Sequence, residues 1–198
     1  MENQHIIIAT FYEDITERII LMYLETAAKI IGEHEINLTE EDMLDLLQIK
    51  YRWPEMAIEV INQCGNTSNG FFDSRKFLIY DRWKRLYDLG FTTLLNNVMD
   101  LTSELRALDN KLFEYKGSET NANFYFTSGT KDKRPSFDPH HHEYHVIVKP
   151  IYGTCLWKIN GNVEEITPEG VLILPAGTEH SVCSNEEPRL SLTINMSG

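Results

Sequence analysis

The chain has 198 residues, 42% of them hydrophobic, a formal net charge of -12 at pH 7 and a pI near 5.0; it is long enough to bury a sizeable core as one domain or a domain with a helical extension. Such acidity repels backbone phosphates and anionic headgroups, which argues against nucleic-acid and membrane partners. No apolar run approaches the roughly 20 residues of a membrane helix, Met1-Glu2-Asn3-Gln4-His5 lacks a basic cleavable leader, and Cys64, Cys155 and Cys183 show neither CxxC spacing nor an even-numbered framework, so a cytoplasmic protein with reduced thiols is expected.

In residues 12–32, Ile15, Ile19, Met22 and Ile30 recur at helical spacing, with Ile20, Leu24 and Ile31 widening the face, and this predicts one long buried helix. Thr39 followed by Asp42 predicts a capping box that opens a second helix through Leu44, Leu47 and Ile49. Pro54, at a first helical position, predicts a third through Ile58 and Ile61. Residues 64–70 are a loop by composition. Helical patterning returns over residues 74–115 with a break at Gly90; Trp83, Leu86, Tyr87, Leu94, Leu95 and Val98, then Leu101, Leu105, Leu108 and Leu112, read as a core stripe. Residues 1–117 are therefore a helical region, which packs on the remainder and offers a lid or a homodimer interface.

From Asn121 the period shortens to that of strands, over residues 124–126, 144–148, 154–159, 171–174 and 190–194. Asn160-Gly161 predicts a hairpin joining residues 156–159 to 163–166. Short antiparallel strands at this spacing predict a sandwich or small barrel over residues 118–198, and the fold class is α+β.

The chemistry sits in His140, His141 and His142, with His180 downstream. On a strand His140 and His142 leave from one face, and His180 arrives from a segment with a Pro175-Ala176-Gly177 turn. Three neutral imidazoles suit a divalent first-row metal and leave coordination positions open. Against this stands a plainer reading, a solvated polar edge that also includes Glu143 and His145. Tyr144 and Val146 share the inward parity of the pair, whereas His141 and His145 do not. Asp138 has it too, so a site of Asp138, His140 and His180 is an alternative.

Several segments, taken in order, resemble the double-stranded β-helix of the cupin superfamily, closest to its JmjC-like, ribosomal-oxygenase branch. They are Ala122-Asn123-Phe124-Tyr125-Phe126-Thr127, Pro139-His140-His141-His142, Gly153, Trp157, the segment from Leu174 to His180, and Pro188-Arg189-Leu190-Ser191-Leu192-Thr193. The resemblance covers roughly residues 95–195 and implies a jelly-roll barrel. It places Asn123 and Tyr125 where family members touch cosubstrate or substrate. Two departures stand out. His142 occupies the carboxylate position of the family's His-x-Asp, and Cys155 falls where the family keeps the Lys or Arg that pairs with the far carboxylate of 2-oxoglutarate. A thiol cannot replace that cation, and Lys149 lies on the opposite strand face. Val146 likewise sits where the general cupin pattern has a Glu.

What is left is a set of His140, His142 and His180, similar to that of thiol and diketone-cleaving dioxygenases. The resemblance then implies a non-heme Fe(II) oxygenase acting on a small polar molecule without a keto acid, with Tyr125 and Tyr144 as catalytic candidates and Asn123 and Cys155 as cofactor-binding candidates. Cys155 also reads as a small buried hydrophobe. One alternative is a 2-oxoglutarate-dependent, JmjC-like hydroxylase of an amino acid, peptide or protein, disfavoured by the two departures. The other is a non-oxidative zinc or nickel cupin, or a metal-free binding module.

Overall fold

A computed structural model describes residues 5–9, 14–49, 52–61, 67–129, 138–183 and 186–196; Tyr12, Cys64 and residues 64–66 of the expected loop lie outside these. In chain order the elements are β1 (His5–Ile8), α1 (Ile15–Glu33), α2 (Glu40–Leu47), β2 (Ile58–Ile61), α3 (Tyr80–Asp88), β3 (Thr92–Leu95), α4 (Ser103–Lys116), β4 (Asn121–Thr127), β5 (His145–Tyr152), β6 (Cys155–Ile159), β7 (Asn162–Ile166), β8 (Gly170–Leu174), β9 (His180–Cys183) and β10 (Arg189–Met196). The class is α+β. No described helix is long and apolar enough to cross a membrane.

Local chemistry explains the helix starts. Asp14 and Glu17 form a capping box on α1, and Thr39 with Asp42 forms the expected one on α2, where the Asp42 carboxylate accepts from the Thr39 N–H at 2.8 Å. The long first helix is only partly buried. Leu24, Ala27, Ala28 and Ile31 pack inward, whereas Ile15, Ile19 and Met22 are 73%, 62% and 67% exposed. Small Ala27 and Ala28 let the second half pack closely into the core, and the first half leaves these apolar side chains exposed.

Two further expectations need correction. The segment after Pro54 is not a helix: Pro54 makes an isolated bridge to Phe77, and residues 58–61 form β2. Leu94 and Leu95 likewise lie in strand β3 rather than in a helix. The β-branched residues Ile58, Val60 and Ile61 pair antiparallel with Thr92, Thr93 and Leu95, and this tertiary pairing overrides a short helical pattern. Strands from residues 5–8, 58–61 and 92–95 thus join a sheet with strands from beyond residue 118. The regions 1–117 and 118–198 share that sheet and one continuous core.

The larger sheet has the order β1-β8-β5-β10-β4-β3-β2 and the smaller β7-β6-β9. Asn160 (φ 48°) and Gly161 (φ 86°) turn the expected β6–β7 hairpin. Alternation gives the large sheet two buried faces. Ile147, Ile173, Leu192 and Ile194 face the helices, while Val146, Val148, Leu172 and Leu174 face the small sheet with Trp157 and Ile159. Lys149 follows the helix-facing parity. Its Nζ donates to the carbonyls of Ile31, Gly32 and His34 at 3.1, 2.8 and 2.6 Å, closing the C-terminus of α1, where a cation is also favoured by the helix dipole. Burial pulls this ammonium down to about 8, against the opposing pull of Glu35, and it is still charged at pH 7.

Candidate metal centre

The histidine segment is positioned by β9 rather than by β5, which begins only at His145. His140 and His180 exchange both backbone hydrogen bonds, at 3.0 and 2.8 Å, in an isolated antiparallel bridge, and the Gly177 N–H donates to the His142 carbonyl at 2.8 Å. Directly opposed residues project to the same side, so this pairing brings two imidazoles together and the alternation from 140 to 142 adds the third. Ring centroids lie 4.5 Å apart for His140 and His180, 5.0 Å for His140 and His142, and 5.1 Å for His142 and His180.

Hydrogen bonding sets the tautomers. His140 Nδ1 lies 2.9 Å from the Asp138 carbonyl, and His180 Nδ1 lies 2.9 Å from the Thr178 carbonyl. A carbonyl only accepts, so both Nδ1 atoms carry the proton, and Nε2 is then the nitrogen that carries the lone pair in each ring. Burial, with smaller contributions from the neighbouring histidines, pushes His180 down to about 4, and burial followed by His140 and His141 lowers His142. The unprotonated form a metal requires is therefore favoured at these two positions at neutral pH. His142 stacks on Tyr144, with centroids 4.9 Å apart and planes 10° apart.

The donor atoms of His140, His142 and His180 lie within 4.8 Å of one another, and among the described residues this is the one such group of three or more. Metal–imidazole bonds of about 2.1 Å need donors no more than about 4.2 Å apart, a closure that small ring rotations supply. The residues fit a divalent metal. Among the described residues no carboxylate joins them: Asp138 lines the adjoining cavity without entering the group, and Glu143 approaches the exposed His141, at 3.9 Å.

The cluster opens on a cavity of about 600 Å³. Tyr125 and Val146 line it, as do Trp157 and Val182. Tyr144 stands beside it against His142. Asn123 does not line it; its Oδ1 accepts from the Asn97 N–H at 3.2 Å, holding a backbone turn. Cys155 does not line it either. It is fully buried in the wall, with its Sγ 2.9 Å from Ser191 Oγ. His145 is used structurally, its Nδ1 accepting from the Ala176 N–H at 2.9 Å.

Sequence reasoning missed Arg189, Ser191 and Thr193, which line the cavity from β10. Arg189 is 2% exposed and donates from one guanidinium nitrogen to Cys155 Sγ at 3.8 Å. The cation absent at position 155 is therefore present on another strand. The available signal was the alternation in Arg189-Leu190-Ser191-Leu192-Thr193, in which every second residue is polar and one face must be buried.

The fold is shared with known proteins. A model of the AraC-like ligand binding domain matches residues 126–198, less than half of the chain. No curated protein matches by sequence. Among solved structures, Escherichia coli YcfD, a ribosomal oxygenase, superposes with a TM-score of 0.58 at 18% identity over 84% of this chain and 46% of that one. The barrel has the cupin fold. YcfD in complex with cobalt and succinic acid gives a TM-score of 0.58 at 17% identity, and in complex with cobalt and 2-oxoglutarate 0.56 at 18%; each alignment covers 84% of this chain and 46% of the other. The present chain thus spans less than half the length of YcfD. The cupin fold, found also in a ribosomal oxygenase, agrees with the resemblance in the sequence, and the three-histidine cluster supports a metal-binding site in it.

Proposed function

We infer that the site holds Fe(II) and that the protein is a cytoplasmic oxygenase acting on a small polar molecule without a keto-acid cosubstrate. The observation that supports this reading is the convergence of three imidazoles, two with Nδ1 tied to a carbonyl, at the end of an enclosed cavity. When bound, such an ion supplies a redox-capable Lewis acid with open positions for oxygen and a chelating substrate. The chain does the remainder. The carbonyls of Asp138 and Thr178 hold two rings in register, and Val146, Trp157 and Val182 exclude water around the substrate. The Tyr125 phenol, pushed up to about 12 by burial and then by Tyr144 and Glu59, stays protonated as a hydrogen-bond donor. Transfer of both atoms of dioxygen to the substrate balances without an external reductant, which is why no keto acid is required.

The test is metal content by inductively coupled plasma mass spectrometry together with oxygen uptake on 3-mercaptopropionate and acetylacetone, each with and without 2-oxoglutarate. We expect near one iron per chain and keto-acid-independent uptake, both lost in His142→Ala and kept in His141→Ala. Equal iron and uptake in His142→Ala would sink the reading. Uptake that requires 2-oxoglutarate and releases succinate would replace it with the hydroxylase reading, and stoichiometric zinc or nickel with no uptake would replace it with a non-oxidative cupin.

A further inference from the structure

The first half of α1 carries an apolar face outside the core. Ile15, Ile19 and Met22 are exposed on the side of the helix opposite Leu24, Ala27, Ala28 and Ile31. The other exposed apolar side chains, Ile49, Met56, Leu89, Phe113 and Val163, stand singly on separate elements and turns, as ordinary surface residues do.

The spacing on α1 is specific. Positions 15, 19, 22 and 26 step by four, three and four residues, which sets them in one line along the helix and is the spacing of a two-helix seam. Thr26 suits that line, because its hydroxyl donates to the Met22 carbonyl at 2.8 Å and leaves the methyl to face a neighbour.

The line is also its own complement. A two-fold axis passing between Ile20 and Leu21 sets Ile19 against Met22 of a second copy and Ile15 against its Thr26, so one operation fills every layer of the seam. The flanking charges obey the same operation. Arg18 and Glu25 lie on one side of the line, and the axis brings same-side flanks together, with Arg18 of each copy about 3 Å along the axis from Glu25 of the other. Helical side chains lean toward the N-terminus, so in an antiparallel pair these two lean toward each other. Among the described residues no ion pair includes either of them.

We propose that α1 pairs antiparallel with α1 of a second copy of this chain, through Ile15, Ile19, Met22 and Thr26, with two Arg18–Glu25 ion pairs on the rim, to form a two-fold dimer. The core-packed halves of the two helices then point to opposite ends of the pair, which keeps the two barrels apart. The dimer does not depend on the metal.

The experiment is sedimentation velocity of the whole chain over about 1–200 µM, with thermal unfolding of the same samples. A seam of this length lies at the small end of specific interfaces, so we expect a monomer–dimer equilibrium with a Kd on the order of 10 µM. Ile19→Glu, at an exposed position, abolishes the dimer without lowering the melting temperature of the dilute protein. Arg18→Glu and Glu25→Arg each weaken it roughly 3- to 30-fold. Their combination recovers most of that loss, because both ion pairs re-form with the signs exchanged. A parent protein that stays monomeric to about 200 µM, a measurement that needs no variant to fold, overturns the proposal and leaves the face to a different protein. A dimer unaffected by Ile19→Glu overturns it too, as does a double variant no tighter than the single ones, since a parallel or unrelated contact would not be rescued by the exchange.

Discussion

Gly153 offers a test of how tightly the cavity wall is built, because a control glycine exists in the same chain. Gly153 has φ 69° and Gly161 has φ 86°, so alanine at either meets the left-handed strain of about 1–2 kcal/mol. At Gly161 nothing lies within 4 Å of the added Cβ. At Gly153 the added atom meets a backbone oxygen at 2.2 Å, and the backbone on that side is pinned into β10. Relief requires the Pro188–Arg189 segment to move, an overpacking cost of about 1–3 kcal/mol beyond the shared strain. At about 2–4 °C per kcal/mol for a chain of this size, Gly153→Ala should melt roughly 2–12 °C below Gly161→Ala. Thermal unfolding followed by circular dichroism measures the difference. Equal melting temperatures for the two variants would show that the wall yields, and the reasoning would fail.

Lys149→Met keeps an apolar stem but removes the donor to three carbonyls at the end of α1. With charge-assisted hydrogen bonds each worth about 1.5–3 kcal/mol, offset by relief of ammonium burial, we expect a net loss of about 2–4 kcal/mol in urea unfolding, and a loss under about 0.5 kcal/mol would refute the capping role. Tyr125 titrates from 10 in the unfolded chain to about 12 in the folded one. Its contribution to stability is therefore complete below pH 10 and lost as pH rises from 10 through 12; Tyr125→Phe should show a shallower alkaline loss, and parallel pH profiles would contradict this.

The parts of the fold legible in the sequence were those set by local chemistry. Asn160-Gly161 demands positive φ twice, and the Thr39–Asp42 box satisfies its own donors, so neither waits on distant residues. The four-residue strands β2 and β3 were read as helix because Ile58 and Ile61, or Leu94 and Leu95, fit a helical turn as well as a strand; pairing with each other and with β4 decides between them. The exposure of Ile15, Ile19 and Met22 follows from where the sheet ends beneath α1, which no periodicity reports. At the site, spacing alone brought His140, His142 and His180 to one place. Asn123 and Cys155 came from positional likeness to a family, and neither lines the cavity. Arg189 was visible as a residue but not as a wall, since alternation separates two faces without saying which one is the barrel interior.

That ambiguity on β10 also bears on how the charge inside the cavity differs from the charge of the whole chain. Leu190, Leu192 and Ile194 face the helices, so the opposite face of the same strand presents Arg189, Ser191 and Thr193 to the cavity. The net charge of -12 is carried largely by surface side chains, whose fields at physiological salt decay over about 8 Å. The walls of the half-open cavity are screened less than the outer surface, so local charge there counts for more than the net charge. Three neutral imidazoles would leave a bound divalent ion its full charge, and Arg189 adds one more in the wall.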